Sequence, residues 1–366
     1  MVWERFHQPD SMREMRHAAA RCLDRLDDDV LNAQCRSASP HAAMRAIANR
    51  LEQGSAWIVR AVEREEDGHA GAAGGHCNIS AWPLWLRGER QRCEKPLLYL
   101  MRSESVAGLR AALAETTSQG IFCNDAEAFS SRWPKSVQPA LPLWLSAIAD
   151  GTPYDPASGA ETLAILRAAL HALYIDGEPG FVYFSAHADD GDARPLSAID
   201  GQHAFKGMYR IALLRGMSKA SVRLLGAGQA LSQVMHAAEL LQQDWDVASE
   251  LWSCPSYTRL ARDAYAAERW NTLHPRSGKR SSHLQSCLSG SASPVVAVTG
   301  YAQNIASQIG GFVPARFVAL GADAYPLYGS TVSAQWIAAM TLKALGDDGT
   351  IPLGRAEEAL ERYRLA

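Results

Sequence analysis

No apolar stretch in the 366 residues is long enough to cross a bilayer. The opening Met1-Val2-Trp3-Glu4-Arg5 lacks the basic-then-apolar order of a secretory signal. A cytoplasmic protein without a membrane role is therefore expected. No C-x-x-C pair occurs. The seven cysteines, at 22, 35, 77, 93, 123, 254 and 287, are odd in number and scattered, which speaks against a paired zinc framework and for reduced thiols. Neither sign of charge dominates: 36 Lys and Arg stand against 39 Asp and Glu, a net charge of -3. That balance removes the electrostatic argument for a nucleic-acid partner or an anionic membrane surface. Internal repeats and low-complexity tracts are also missing.

What remains is globular. Hydrophobic residues make up 47% and charged residues 20%, enough to bury a core in each of two or three domains. Residues 1–66 read as a helical N-terminal segment. Met15, Ala18, Ala19, Cys22 and Leu23 recur at helical spacing, and Ser39-Pro40 opens a second helix through Met44, Ile47 and Leu51. Residues 67–195 read as a reduced α/β region. It begins with the glycine-rich break 67–75 and carries apolar strands at 97–101, 120–123 and 181–184, with helices at 106–113 and 160–174. Asp189 to Pro195 is the candidate linker. From 196 to 366 strands and helices alternate: strands at 222–225, 248–252, 294–298 and 317–320, and helices at 230–241, 302–309, 334–345 and 355–364. This pattern predicts a doubly wound domain with a mostly parallel sheet.

Several motifs carry chemistry on paper, each beside a plainer reading. Gly226-Ala227-Gly228 joins a strand to a helix, where backbone N–H groups meet phosphates in dinucleotide sites. The third glycine of that fingerprint is missing, and a tight structural turn is the favoured reading. In Gly74-Gly75-His76 a flexible backbone brings an imidazole toward a ligand, or a surface loop simply carries a histidine. The stretch His187-Ala188-Asp189-Asp190 has metal-ligand residue types but reads as a solvated linker. Gly216-Met217-Ser218-Lys219-Ala220 precedes a strand instead of following one, so it is no nucleophile elbow. Arg259, Arg262, Asp263, Glu268 and Arg269 form either a solvated helix face or ion pairs at a subunit contact.

A longer string of residues resembles a known family. It comprises Lys206-Gly207-Met208-Tyr209, residues 222–228, Trp252-Ser253-Cys254-Pro255-Ser256-Tyr257-Thr258, Leu260-Ala261-Arg262-Asp263, Glu268-Arg269-Trp270-Asn271 and Leu273-His274-Pro275. In order and spacing these are similar to the C-terminal region of the homodimeric, thiamine-diphosphate-dependent pyruvate dehydrogenase first component, of the transketolase superfamily. The resemblance runs from about Tyr154 to the C-terminus. Upstream, Tyr154-Asp155-Pro156 and Phe181-Val182-Tyr183-Phe184 resemble the end of that family's pyrimidine-binding domain. Trp57 to His76 resembles the stretch leading into its pyrophosphate-binding domain, where the matching histidine lies in the cofactor site. The resemblance thus implies an α/β fold: a transketolase-like C-terminal domain preceded by a reduced thiamine-diphosphate-fold-like domain. It also singles out His76 as the one candidate cofactor-binding residue.

The departures shape the functional expectation. The family holds Mg²⁺ and the diphosphate with a Gly-Asp-Gly motif followed some way on by an Asn. Gly191-Asp192-Ala193 is the nearest approach here, but the next asparagine is Asn271; Gly346-Asp347-Asp348 lies too near the C-terminus. No counterpart of the glutamate that activates the pyrimidine ring is found. Ala188-Asp189-Asp190 stands where the family has Asn-Glu-Asn. After Gly321-Ala322-Asp323-Ala324-Tyr325, which resembles a family loop, the usual arginine-bearing stretch is missing. The expected protein is a divergent homologue that does not bind thiamine diphosphate or a metal alone and has a repurposed or non-catalytic role. The alternative is a thiamine-diphosphate- and Mg²⁺-dependent 2-oxoacid decarboxylase or acyl-transfer subunit completed by a partner chain. A homodimer is expected on the family pattern, and Trp252, Trp270 and Tyr257 would suit its contact if they are exposed in the monomer.

Overall fold

The computed structural model describes residues 9–52, 54, 56–61, 95–116, 119–128, 140–189, 195–217, 219–323 and 332–365. These fall into two units. One holds the residues up to Tyr154 and from Ser158 to Pro195; the other holds Asp155–Ala157 and everything from Leu196.

The first unit is built on five parallel strands: β1 (Trp57–Ala61), β2 (Leu97–Met101), β3 (Gly120–Asn124), β4 (Gly151–Tyr154) and β5 (Phe181–Ser185), in the spatial order β1-β2-β3-β5-β4. Every residue of β2, β3 and β5 is buried, as expected of parallel strands covered on both faces, which is why they read as unbroken apolar runs. Pro153 is tolerated because β4 is an edge strand. Helices at Pro9–Leu26, Asp29–Arg36 and Pro40–Leu51 precede the sheet. Ser39 caps the third, its hydroxyl accepting from the Ala42 N–H with Pro40 in the first turn. That helix packs on Gly159–Leu170. Gly159 is required at this contact, because a Cβ there would lie 2.4 Å from the Cys35 carbonyl oxygen. β1 falls inside the 1–66 span that reads as helical. Five residues interrupted by Arg60 give too short an alternation to announce a strand, and its pairing with β2 supplies what local sequence does not.

The second unit has strands β6 (Tyr209–Leu214), β7 (Ser221–Gly226), β8 (Ala248–Ser253), β9 (Val295–Val298) and β10 (Phe317–Leu320), in the order β10-β9-β7-β8-β6. All pairings are parallel except β6 with β8. The expected mostly parallel sheet is present; the antiparallel edge strand β6 goes beyond the sequence reading. Its residues are mostly half-buried or exposed, and Leu213 faces water, so no clean apolar period marks it. The core lies where Val234, Ala238 and Leu241 of helix Ala230–Trp245 meet Ile337, Leu342 and Leu345 of helix Ala334–Asp347. One charge is buried in the sheet. Arg223 of β7 pairs at 3.0 Å with Glu250, its register partner on β8, and donates to the Leu288 and Ser291 carbonyls. Breaking such a pair costs about 3–5 kcal/mol, since the remaining charge stays desolvated.

Among the described residues, no helix is long and apolar enough to cross a membrane.

Candidate functional site

Parallel strands bring their C-terminal ends to one edge, which is where open α/β sheets place their ligands. In the first unit Met101, Asn124 and Ser185 stand in one register row across β2, β3 and β5. The residues just beyond that row are polar: Arg102 and Ser103, Asp125 and Glu127, and His187.

Asn124 is fully buried and organises the edge. Its carboxamide oxygen accepts from the Ser103 N–H at 3.0 Å and the Ala126 N–H at 3.2 Å. Its amide nitrogen donates to the Ser103 carbonyl at 2.7 Å and to the Tyr183 hydroxyl at 3.0 Å. Alongside, the Arg102 guanidinium forks onto both oxygens of Asp125, at 3.0 and 3.1 Å. His41, in the first turn of helix Pro40–Leu51, places Nε2 3.6 Å from the same carboxylate. Burial pushes the Asp125 carboxyl up, but hydrogen bonds from His41 and Arg102 and their charges outweigh it and hold it below the ordinary carboxylate range. The Ser185 hydroxyl donates to buried Glu127 at 3.3 Å. His187 is 1% exposed and its backbone carbonyl accepts from the His41 N–H, so the solvated linker expected there begins later. Chemically, this edge pairs carboxylates and an imidazole with a cation in a partly water-excluded setting. Sequence reasoning missed Asn124, Asp125, Arg102 and His41. The available signal was the abrupt switch to polar residues at the ends of the apolar runs.

In the second unit the Gly226-Ala227-Gly228 turn is filled by the chain itself. The Gly228 N–H donates to the Asp155 carbonyl at 3.0 Å, and the Ala227 N–H donates to the Val298 carbonyl at 3.2 Å. Gly228 has φ +50°, and a Cβ there would lie 2.1 Å from a carboxylate oxygen of Asp155. These donors are spent, and the Asp155 side chain already lies against the turn, so the plainer structural reading of the glycines holds. The stretch from Trp252 to Thr258 is likewise architectural. Trp252, Cys254, Tyr257 and Thr258 are buried, and Ser256 caps the next helix. The Tyr257 hydroxyl donates to the Val298 and Leu225 carbonyls at the ends of β9 and β7; burial raises its pKa well above 10. Trp252 and Tyr257 are core residues within the unit, so the exposure that would suit them to a subunit contact is not met.

A second polar cluster links His203, His283 and Cys287. The two imidazoles lie 5.1 Å apart, His283 Nε2 contacts the Met208 carbonyl at 2.9 Å, and Asp263 accepts from the His283 backbone N–H. Burial pushes the Cys287 thiol up to about 11, as it does those of Cys22 and Cys35, and raises Cys123 further. These four thiols are poor nucleophiles.

His76 and the Gly191-Asp192-Ala193 stretch lie outside the described residues, as does Asp190. Asp347, of the other Gly-Asp pair, is held by Arg316 and Lys343. Asn271 spends its carboxamide on the Arg280 backbone. Among the described residues, no group of three or more His, Cys, Asp or Glu is placed to hold a metal. Mg²⁺ on a diphosphate takes one or two protein carboxylates and completes its shell with phosphate and water oxygens; Asp192, the nearest sequence candidate for one, lies outside the described residues.

Residues 207–334 match the family model of the transketolase-like TK C-terminal domain. Curated relatives include the pyruvate dehydrogenase E1 component of Cupriavidus necator, 34% identical over 231 residues, and that of Pseudomonas aeruginosa, 32% identical over 232. Each match covers 60% of this chain and 26% of the relative, so the chain spans about a quarter of their length. Among solved structures, transketolase from Campylobacter jejuni aligns with TM-score 0.56 and 13% identity, over 88% of this chain and 50% of that one. A split gene transketolase, in an inactive beta4 tetramer, aligns with TM-score 0.51 and 13% identity, over 84% of this chain and 98% of that one. At these identities the structural likeness concerns the fold alone. The chain therefore carries a transketolase-like C-terminal domain. Its sequence is also similar to the pyruvate dehydrogenase E1 component over 60% of its length.

Proposed function

We propose that the chain is a pyruvate dehydrogenase E1-like protein that does not bind thiamine diphosphate by itself and serves a repurposed or non-catalytic role. The observation that carries this reading is the Asn124–Asp125 network. At the sheet edge where a ligand belongs, carboxamide, guanidinium and carboxylate are already bonded to one another. A cofactor ring entering there would have to break those bonds, at about 1–3 kcal/mol for each group left unmet. Asp155 against the Gly228 turn supports the same reading for the second unit. Kinship with the E1 component supports a related function in the broad sense.

A second reading has its own support: a subunit completed by a partner chain that supplies the metal and diphosphate site. The chain is coextensive with nearly the whole of the split gene transketolase chain, which shows that this extent of fold exists as a separate polypeptide. Calorimetric titration with thiamine diphosphate and Mg²⁺, of the chain alone and mixed with a candidate pyrophosphate-domain chain, separates the two. Binding only in the mixture selects the second reading; no binding in either selects the first.

A further inference from the structure

The loop after helix Tyr257–Leu273 is exposed from Thr272 through Ser281 and carries Arg276, Lys279 and Arg280. Between Glu268 and Asp323 the sequence holds no Asp or Glu, in a chain whose net charge is -3. The positive charge is therefore local and has no acidic residue of its own segment to answer it.

Arg280 is also held still. Its backbone N–H donates to the Asn271 carboxamide oxygen at 2.8 Å, and its carbonyl accepts from the Asn271 amide at 3.0 Å. Its guanidinium carbon lies 3.3 Å from the centre of the Trp270 ring. The His274 ring stacks on the same indole, at 3.7 Å and 18° between planes. Stacking uses the face of a guanidinium and leaves its N–H edge for in-plane acceptors. A planar fork with restricted motion is suited to a carboxylate, which it meets with two parallel hydrogen bonds and little further loss of entropy. Leu273, 64% exposed, adds an apolar contact beside the fork.

We propose that the loop 274–281 is a docking surface for an acidic segment of another protein, with Arg280 as the carboxylate-binding fork and Arg276 and Lys279 as flanking charges. Nucleic acid fits less well. Three positive charges would release few counterions from a phosphate backbone, so the electrostatic gain would be small. The indole that would stack a base is already engaged by His274 and Arg280.

The test is fluorescence anisotropy of the full chain with a labelled oligoglutamate peptide, against oligoglutamine of equal length and a labelled oligothymidylate. Oligoglutamate is expected to bind with an affinity that falls as salt rises. R280Q should weaken that binding about tenfold, the worth of a charge-assisted hydrogen bond. R280K, which keeps the charge and loses the fork, should weaken it as well. All three side chains are exposed, so these variants should keep the wild-type circular dichroism spectrum. The proposal is overturned if wild type does not bind oligoglutamate, if R280Q binds it unchanged, or if oligothymidylate binds more tightly. Salt-sensitive self-association abolished by R280Q would overturn it too, by making a second copy the occupant.

Discussion

Asn124 makes four hydrogen bonds with no exposure to water and ties β2, β3 and β5 together at that edge. Truncation to alanine leaves two backbone N–H groups, a carbonyl and a tyrosine hydroxyl to find new partners. Asn124→Ala should therefore lower stability by at least about 3 kcal/mol, read from the urea midpoint of the intact chain. A loss below about 1 kcal/mol would mean that water replaces the carboxamide and that the edge is open to ligands. His283 gives a pH-dependent counterpart in the second unit. Burial lowers its pKa below 6.5, reinforced by His203 and Lys206 and opposed by the Met208 carbonyl and Asp263. The folded state thus binds its proton less readily than the unfolded chain. Stability should be undiminished above 6.5 and fall as pH drops from there through the lowered folded value. His283→Gln can keep a donor for the Met208 carbonyl without titrating, and should flatten that part of the melting-temperature profile. An unchanged slope would assign the dependence elsewhere.

At the scale of elements, the sequence was most legible where secondary structure and burial coincide. β2, β3 and β5 announce themselves as continuous apolar runs because both faces are covered. Strands β1 and β6 were silent for the opposite reason: each is an edge strand whose identity comes from one neighbour. The motif at 252–258 was legible as resemblance but not as role. Its residues look like a signature, and the structure shows them closing the turn after β8 and packing beneath β7 and β9. The network on Asp125 could not be read in advance, because His41, Arg102 and Asp125 meet only once three separate elements are assembled. The Gly226–Gly228 turn yields an element-level prediction. Gly228→Ala places a methyl group on Asp155 at a positive φ, and should destabilise the second unit by about 1–2 kcal/mol through backbone strain alone, more if Asp155 is displaced. Coupling to Asp155→Gly in a double-mutant cycle checks the contact; additive effects would show that the Asp155 side chain does not fill the turn.

For the whole molecule, homodimerisation is a proposal carried over from the family resemblance. With Trp252 and Tyr257 buried, the exposed Tyr265 of helix Tyr257–Leu273 is a better placed aromatic for a subunit contact. Light scattering at micromolar concentration should report a dimer of the 39.7 kDa chain; a monomer there would remove that proposal. The central claim is different: the chain alone does not form a thiamine diphosphate site. Its most direct test is isothermal calorimetry of the purified full chain with thiamine diphosphate in the presence of Mg²⁺. The account predicts no saturable heat in the micromolar range. Micromolar, Mg²⁺-dependent binding that His76→Ala abolishes would contradict it and make the chain a thiamine-dependent enzyme in its own right.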